Sequence, residues 1–361
     1  MTVLNLENKD SLAWQEFVAS HSDSNLCQDL RWKQVLSDTF GHQADYLIYT
    51  DKNDSTKILG VLPLVFVKSR LFGKGLISIP YLNAGGILAT SLAAEQALLE
   101  AATQKLTELK GDYLELRLQH SLSAEKQEIT SDSSQTKLIE RQHKVTFLLD
   151  LPANPDTLLK SFSSKLRSQI NRPIKAGAEF ICIKGSEVTD QNLADFYKIF
   201  SEHSRDLGTP VYPLALFKNT FRAFQDDAML AFVSLNNQLT SAGIVLKHKS
   251  KAEIIWAASL RKFHSDSVNM LLYWGFLKEL CLQGLTQFDF GRTSYNTGGY
   301  KFKKQWDGNE LPLYWYYYGK SNYIPDINPR DQKFSLLVKT WQQLPLYIAK
   351  RIGPVLTKHL P

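Results

Sequence analysis

Apolar positions recur along this chain at two different spacings. Stretches in which they lie three and four residues apart predict helices, and stretches in which they alternate or run together predict strands. Helices are predicted at residues 10–39, 92–110, 156–171, 190–206, 214–224 and 267–282. Strands are predicted at residues 44–50, 58–69, 113–118, 145–151, 180–184, 229–235, 242–247, 254–260, 286–290 and 311–318. The mixture of helices and strands indicates the α/β fold class, with mixed parallel and antiparallel sheets of the α+β type.

One arrangement of these elements occurs twice. The helix at 92–110 is followed by a glycine and the strand sequence Tyr-Leu-Glu-Leu-Arg, and the helix at 267–282 by a glycine and Phe-Asp-Phe-Gly-Arg. A group of strands precedes each helix and carries a glycine near its middle, Gly60 in the first half and Gly243 in the second. Two copies of one α/β unit explain this pattern better than one long sheet.

The repeat divides the chain into three predicted parts. Residues 1–152 form an N-terminal subdomain, residues 153–330 a C-terminal subdomain, and residues 331–361 a basic, amphipathic helical tail. The second sheet is predicted to use the strands near 229–235, 242–247, 254–260, 286–290 and 312–318. A polar, serine-rich stretch at 120–142 shows no apolar period and predicts a long loop.

The strand at 286–290 and the residues after it hold the main candidate site. Asp289 lies at the end of the strand, and since side chains alternate between the two faces, Phe288 and Phe290 should face the other way. Arg292 can then reach the carboxylate, either as a plain structural ion pair or as part of a site. A turn-rich loop with two adjacent glycines should fold the chain back, so that Lys303 approaches the same edge.

The predicted helix at 156–171 and the residues after it form a second concentration of charge. No acidic residue occurs from 157 to 178, and the same stretch holds Lys160, Lys165, Arg167, Arg172 and Lys175. Unopposed positive charges of this kind can hold phosphates. A solvated helix face is the alternative, and it explains any single one of these residues slightly better.

The composition of the chain restricts the kinds of partner, metal site and cellular location that these sites could have. The chain has 361 residues, 43% of them hydrophobic, and a net charge of +6, which suits an anionic partner without selecting one. Three widely spaced cysteines form no disulfide or metal pattern, and we expect no metal site. The polar start and the lack of a long apolar run predict a cytoplasmic protein. The tail at 331–361 is the candidate for peripheral contact with the inner face of the cytoplasmic membrane, and the alternative is a helix pair packed against the second subdomain.

Seven stretches between residues 60 and 306 together resemble one group of proteins. They read Gly-Val-Leu-Pro-Leu at 60–64, Ser-Ile-Pro-Tyr-Leu-Asn-Ala-Gly-Gly at 78–86, Lys-Leu-Arg-Ser-Gln-Ile at 165–170, Arg-Asp-Leu-Gly-Thr-Pro-Val-Tyr-Pro at 205–213, Val-Asn-Met-Leu-Leu-Tyr-Trp at 268–274, Phe-Asp-Phe-Gly-Arg at 288–292 and Tyr-Lys-Phe-Lys-Lys-Gln-Trp at 300–306. The set is similar to the FemAB-related branch of the GNAT superfamily, specifically to proteins associated with exosortase and PEP-CTERM gene sets in Gram-negative bacteria. The resemblance implies two tandem GNAT-like (acyl-CoA N-acyltransferase) subdomains.

The resemblance also implies acyl or aminoacyl transfer to an amine. FemAB proteins build peptidoglycan cross-bridges from aminoacyl-tRNA, and their phenylalanine–lysine motif matches Phe302-Lys303 here. This chain lacks their long helical-hairpin arm, and it also lacks the glycine-rich pyrophosphate loop of acetyl-CoA enzymes. No tightly bound cofactor is therefore expected, and the anionic donor stays open between acyl-CoA, acyl-carrier protein and aminoacyl-tRNA. The implied acceptor is an amine-bearing envelope precursor, in cell-envelope or exopolysaccharide biosynthesis. A catalytically silent GNAT-fold binding module of an envelope assembly system is the alternative.

The chemistry of amide formation assigns roles to these residues. The amine must lose a proton, and the oxyanion that develops on the carbonyl must be stabilised. Lys303 is the predicted stabilising cation, Asp289 and Arg292 position it, and Asp206 is the next candidate base. The residues predicted to bind substrate are Asn83, Lys165, Arg167, Arg172, Arg205, Tyr212, Asn269, Tyr300, Lys301, Lys304 and Trp306.

Overall fold

The computed structural model describes residues 2–123, 138–319 and 332–360. Its strands are β1 (Thr2–Asn5), β2 (Gln43–Thr50), β3 (Ile58–Ser69), β4 (Gly73–Ile77), β5 (Leu88–Ala89), β6 (Tyr113–Leu118), β7 (Ile139–Asp150), β8 (Glu179–Lys184), β9 (Ala228–Leu235), β10 (Gln238–His248), β11 (Lys251–Ser259), β12 (Gln287–Asp289), β13 (Thr293–Ser294) and β14 (Asn309–Gly319). Its α-helices are α1 (Ser11–Ser20), α2 (Arg31–Phe40), α3 (Leu92–Glu108), α4 (Pro155–Ser161), α5 (Ser164–Lys175), α6 (Asp190–Leu207), α7 (Leu214–Phe224), α8 (Val268–Leu282), α9 (Gly298–Lys304), α10 (Gln332–Gln342) and α11 (Leu346–Thr357). In these ranges no helix is long and apolar enough to cross a membrane.

The chain forms two compact units. The first contains the residues up to Val145, the strand from Leu311 onward and the last residues from His359. The second runs from Thr146 to Glu310 and includes α10 and α11. The chain therefore changes units within β7 and again within β14, whereas the sequence predicted boundaries after residues 152 and 330.

The sheet of the first unit has the strand order β1-β2-β3-β4-β6-β14. Strands β1 to β4 are antiparallel neighbours, and α3 then leads into β6, which lies parallel to β4. Apolar residues of α3, including Leu98 and Leu99, pack on the sheet in one buried cluster. Pro63 lies in β3 between the residues that pair with β5 and those that pair with β4, so its missing N–H falls in a local gap of the ladder.

The sheet of the second unit repeats this plan in the order β7-β12-β11-β10-β9-β8. Strands β8 to β11 are antiparallel neighbours, and α8 then leads into β12, which lies parallel to β11. Helix α8 is apolar on nearly all sides and is buried on nearly all of them. The repeat inferred from the helix–glycine–strand pattern is confirmed.

The two central glycines mark equivalent positions of the repeat. A Cβ atom on Gly60 would lie 2.9 Å from a methyl carbon of Leu98 on α3, and one on Gly243 would lie 2.9 Å from the ring of Phe276 on α8. Each glycine thus lets the crossover helix of its unit approach the sheet closely.

Replacing Gly243 with valine should therefore lower the free energy of unfolding by about 1–3 kcal/mol, because the new side chain overlaps α8. Thermal unfolding would measure the effect. Gly298→Ala is the matched control, since nothing lies within 4 Å of the added carbon. Equal melting temperatures for both variants would show that this close approach does not constrain the fold.

Several local predictions differ from the structure. The predicted second-sheet strand at 312–318 lies in the first unit, where β14 pairs antiparallel with β6. The predicted helix at 156–171 breaks into α4 and α5, because Phe162 is extended and Ser163 caps a new helix. The predicted loop at 120–142 ends earlier than expected, since β7 begins at Ile139, and residues 124–137 lie outside the described residues.

Candidate functional site

The second unit has a fork in its sheet between β11 and β12. Their parallel pairing ends at the pair Glu253–Asp289, although β11 continues to Ser259 alongside β10. Beyond Asp289 the chain follows β7 instead, and the Phe290 N–H donates to the Phe147 carbonyl at 3.0 Å. The β11 ladder with β10 also shifts register next to Ile255. A bulge beside diverging strands leaves backbone groups that a ligand can use.

Asp289 lies at the base of this fork. Its neighbour Phe288 is fully buried, whereas the Asp289 side chain is half-buried, as period-two alternation predicted. Its Oδ1 atom accepts hydrogen bonds from the Thr146 hydroxyl and from the Gly291 N–H, the latter at 2.7 Å. Burial raises the pKa of the Asp289 carboxyl, and these hydrogen bonds and the Lys303 charge oppose that rise.

Lys303 reaches the same place from α9. The glycine pair 298–299 was predicted as part of a loop, but it begins a helix over residues 298–304. The first turn of this helix is capped by the Thr297 hydroxyl, which accepts from the Tyr300 N–H at 3.0 Å. The Lys303 ammonium donates to the carbonyl oxygens of Gly291 at 2.6 Å and Arg292 at 3.0 Å. The helix therefore fixes the ammonium at the fork more tightly than a loop would.

The Lys303 ammonium is enclosed although the residue as a whole is partly exposed. Burial lowers the pKa of Lys303 from its usual value to about 8, and the carboxylates of Asp289 and Glu253 limit the fall. The nearby positive charge of Arg292 lowers this pKa further. Lys303 is thus a partly desolvated cation whose charge state depends on its neighbours.

Asp289 has other neighbours than the sequence predicted. Arg292 was predicted as the partner of the carboxylate, and the structure adds hydrogen bonds from Thr146 and the Gly291 backbone. The cations that lower the pKa of Asp289 are Lys303 and Lys251. The predicted pairing of Arg292 with Asp289 stays a prediction, and Lys303 joins the two residues at the fork.

Two residues of the cluster were missed by the sequence analysis. Glu253 is 7% exposed and lies directly across the ladder from Asp289, so both carboxylates share one face of the sheet. Thr146 supplies a hydroxyl from β7. A charged residue inside the apolar strand Ala-Glu-Ile-Ile-Trp was the one available signal for Glu253.

Trp306 and Phe302 support the cluster from the core side. Trp306 is fully buried and lies 5.8 Å from the Phe290 ring and 6.1 Å from the Tyr273 ring, measured between centroids. Phe302 meets the Tyr273 ring edge-on at 4.8 Å. The prediction that Trp306 contacts substrate is corrected, because its side chain is enclosed by other aromatic rings and holds α9 in place.

Other predicted residues of α9 lie on its outer surface. The Tyr300 hydroxyl donates to Glu310 at 2.8 Å and accepts from Lys304 at 3.2 Å. Lys301 is exposed. These side chains form a polar network outside the cluster at the fork.

The basic residues of α5 have mixed roles. Arg167 donates to the carbonyl oxygens of Lys160 at 3.0 Å and Phe162 at 2.9 Å, which fixes the junction between α4 and α5. Arg172 donates to the Ser265 carbonyl at 3.0 Å and so ties α5 to the segment before α8. Lys165 is exposed. Two of the predicted anion-binding cations are thus at least partly structural.

The remaining predicted residues lie on other elements. Arg205 and Asp206 form an ion pair with each other at the end of α6, at 2.7 Å. Tyr212 stacks on Phe200 at 6.1 Å, and Asn269 lies in the first turn of α8. Asn83 belongs to the first unit, in the segment between β4 and β5. The structure therefore brings Lys303, Asp289 and Arg292 together and places the others around different elements.

The first unit fills the position that corresponds to the fork. After β4 and β6 stop pairing, the Ser78 N–H donates to the Glu115 carbonyl at 2.9 Å and the Gly85 N–H to the Arg117 carbonyl at 2.8 Å. A Cβ atom on Gly86 would lie 2.6 Å from Leu118. Gly86 thus lets the chain pack closely against the protein's own β6.

Comparisons with known proteins agree with this architecture. Residues 160–304 match the family described as Acetyltransferase (GNAT) domain. A comparison with curated proteins by sequence finds no match. These comparisons show that the chain has an α/β fold of two tandem GNAT-like subdomains.

Solved structures similar to the chain cover most of it. A crystal structure of FemX is 17% identical, with a TM-score of 0.62, and the match covers 87% of this chain and 97% of FemX. The C-terminal domain (DUF2156) of a protein assigned as a lysylphosphatidylglycerol synthetase from Agrobacterium fabrum is 13% identical, with a TM-score of 0.55 and coverages of 92% and 95%. A tandem GNAT protein from the clavulanic acid biosynthesis pathway is 9% identical, with a TM-score of 0.56 and coverages of 89% and 99%. At these identities the likeness concerns the fold.

Proposed function

We propose that the chain transfers an acyl or aminoacyl group to an amine and so forms an amide. The Lys303 ammonium, held at the fork between β11 and β12, is the observation that carries the proposal. In the proposed step the amine nitrogen attacks the carbonyl carbon of the donor. The bond between that carbon and the donor's sulfur or oxygen then breaks, and the amine proton passes to the leaving thiol or alcohol, directly or through water.

Lys303 is assigned the stabilisation of the oxyanion. Its ammonium is held in place by two backbone carbonyls, and the nearby charges of Asp289 and Glu253 favour its protonated form, so it needs little rearrangement when negative charge develops on the substrate. Arg292 adds positive charge nearby. Asp206 remains the next candidate for the base, and Arg205 holds it in an ion pair.

The nature of the donor and acceptor extends this proposal. The exposed cations Lys165 and Lys175 on α5 favour an anionic donor, and Arg172 links that helix to the start of α8. Acyl-CoA, acyl-carrier protein and aminoacyl-tRNA all fit that description. The likeness to a domain of a protein assigned as a lysylphosphatidylglycerol synthetase favours an aminoacyl group and an envelope acceptor. The motif resemblance to the exosortase and PEP-CTERM branch points the same way.

A donor panel tests the proposal. The protein would be incubated separately with acyl-CoA, acylated carrier protein and aminoacyl-tRNA, together with simple amines, and amide products would be followed by mass spectrometry. We expect at least one donor to be consumed, and Lys303→Ala to abolish most of that turnover. A protein that binds none of the three donors would favour the silent binding module instead.

The pKa of Lys303 predicts how this activity depends on pH. The protonated ammonium is the form required, and its pKa is lowered to about 8, so turnover should fall as the pH rises above about 8. An arginine stays protonated throughout this range, so Lys303→Arg should lose this alkaline limb even if its maximal rate is lower. Rate measurements from pH 6 to 10 would check the shape of both profiles. An unchanged limb in Lys303→Arg would assign that ionisation to another group.

A further inference from the structure

The helices α10 and α11 present large apolar side chains to solvent. Leu336 and Leu337 on α10 are 73% and 64% exposed, and Tyr347 and Val355 on α11 are 73% and 62% exposed. Ile352 and Leu356 are also exposed. We call this set, with the basic residues between them, the tail surface. Scattered exposed apolar residues are ordinary, but six on two consecutive helices form a concentration that needs an explanation.

The residues of α11 that face the protein are the small ones. Ala349, Gly353 and Thr357, at positions i, i+4 and i+8, are buried, and a Cβ atom on Gly353 would lie 2.6 Å from the Val211 backbone. A helix whose only task was to cover the core would bury its large apolar residues and expose its small ones. In α11 this order is reversed.

The same helices are anchored to α6 and are therefore fixed parts of the second unit. The Gln342 side chain donates to the Asp206 carbonyl at 3.0 Å, and the Lys350 ammonium lies 5.4 Å from the Tyr197 ring. The alternative in which the tail packs against the second subdomain is thus confirmed for one face of each helix. The opposite face still carries the exposed apolar residues.

The charge of these two helices indicates which kind of partner could cover their exposed apolar face. Residues 332–361 contain five lysines and arginines and no acidic residue. Lys339 and Arg351 are exposed on the same two helices as Leu336 and Val355. A second copy of this surface would bring like charges together, whereas an anionic lipid surface accepts the apolar side chains and attracts the cations.

We propose that the tail surface binds peripherally to membranes that contain anionic lipids. The apolar side chains of Leu336, Leu337 and Val355 enter the headgroup region, and Lys339 and Arg351 contact lipid phosphates. The binding is reversible, because it depends on two short helices and a few charges. It is independent of the transferase proposal, and either can fail without the other.

Flotation with vesicles tests this inference on the full chain. Vesicles of pure phosphatidylcholine would be compared with vesicles containing phosphatidylglycerol, at low salt and at 0.5 M salt. We expect flotation with the anionic vesicles at low salt, little with the neutral ones, and a loss of binding at high salt. Binding that is equal for both lipids and insensitive to salt would overturn the role of the cations.

Matched variants distinguish binding through the tail surface from nonspecific adsorption of the protein to vesicles. Val355→Ser together with Leu336→Ser, and separately Lys339→Glu together with Arg351→Glu, should each lower vesicle affinity about tenfold or more. Leu71→Ser and Lys52→Glu alter comparably exposed residues outside the tail and should have no effect. Far-UV circular dichroism would confirm that every variant folds. The proposal is refuted if the tail variants float like the unaltered protein. It is also refuted if the unaltered protein binds no vesicles and the variants only convert a dimer into monomers.

Discussion

Replacing Lys303 with alanine is expected to lower turnover by about a hundredfold or more while the protein stays folded. One preorganised donor at a developing oxyanion is worth roughly 2.7–4 kcal/mol, which corresponds to a loss of that size. The substitution also removes the hydrogen bonds to the carbonyls of Gly291 and Arg292, so a modest decrease in melting temperature should accompany it. Steady-state kinetics with the active donor, together with thermal unfolding, would measure both effects.

Lys301→Ala is the matched control for this substitution. Lys301 lies on the same helix and has the same charge, but its side chain is exposed. It should therefore keep most of the activity and stability of the unaltered protein. If Lys303→Ala retained full turnover with a defined donor, the role assigned to the ammonium would be withdrawn, and the basic helix α5 would become the place to search.

Replacing Asp289 with asparagine is expected to lower activity through the charge of Lys303. Both hydrogen bonds of the carboxylate go to Oδ1, and an asparagine can keep its own Oδ1 in that position. The substitution therefore removes mainly the negative charge. Since that charge raises the pKa of Lys303, the variant should have a Lys303 pKa below about 8 and an alkaline limb shifted to lower pH.

The residues around Asp289 determine how large the effect of Asp289→Asn should be and which variant is its control. Turnover at pH 8 should fall about fivefold for a shift of one unit in the pKa of Lys303, because the protonated fraction then falls from about one half to about one tenth. Unfolding free energy should fall by about 1–3 kcal/mol, limited by Glu253, which still faces the ammonium. Thr146→Val removes a hydrogen bond but keeps the Asp289 charge, so its pH profile should stay close to that of the unaltered protein. Identical profiles for Asp289→Asn and the unaltered protein would contradict the proposed coupling.

Local patterns predicted the elements that carry this site. The apolar helix α8, the glycine after it and the Phe-Asp-Phe strand were all visible as short-range signals, because period and turn chemistry act between near neighbours in sequence. The separation of Asp289 from Phe288 followed from strand alternation alone. Lys303 was selected by its resemblance to a family motif, and the structure places it beside Asp289.

Two local features were misread because competing signals were weighed incorrectly. The pair Gly298-Gly299 was interpreted as part of a loop, although Thr297 before it is an N-cap residue and the following side chains suit a short helix. The prediction of one helix from 156 to 171 did not take into account that Ser163 can cap a new helix. Its hydroxyl accepts from the Leu166 N–H at the start of α5. In both cases a capping hydroxyl decided the result.

Long-range features could not be obtained from the sequence. Glu253 joins the cluster only because β11 pairs with β12 in one particular register. Strand β14 follows the second repeat directly in sequence but pairs with β6, which lies almost two hundred residues earlier. Such pairings depend on the packing of whole units, so they cannot be predicted from the residues close to each strand in sequence.

The position of β14 also affects how the protein is made. The first unit contains β6 but receives its neighbour β14 only from residues 311–319, after the whole chain of the second unit up to Glu310. During synthesis β6 therefore waits with an unpaired edge while more than half of the polypeptide is still being translated. An open edge of this kind attracts foreign strands. Slow translation or truncation before residue 319 should accordingly send the nascent chain to chaperones, and a fragment ending near residue 152 would be a poor substitute for the native first unit.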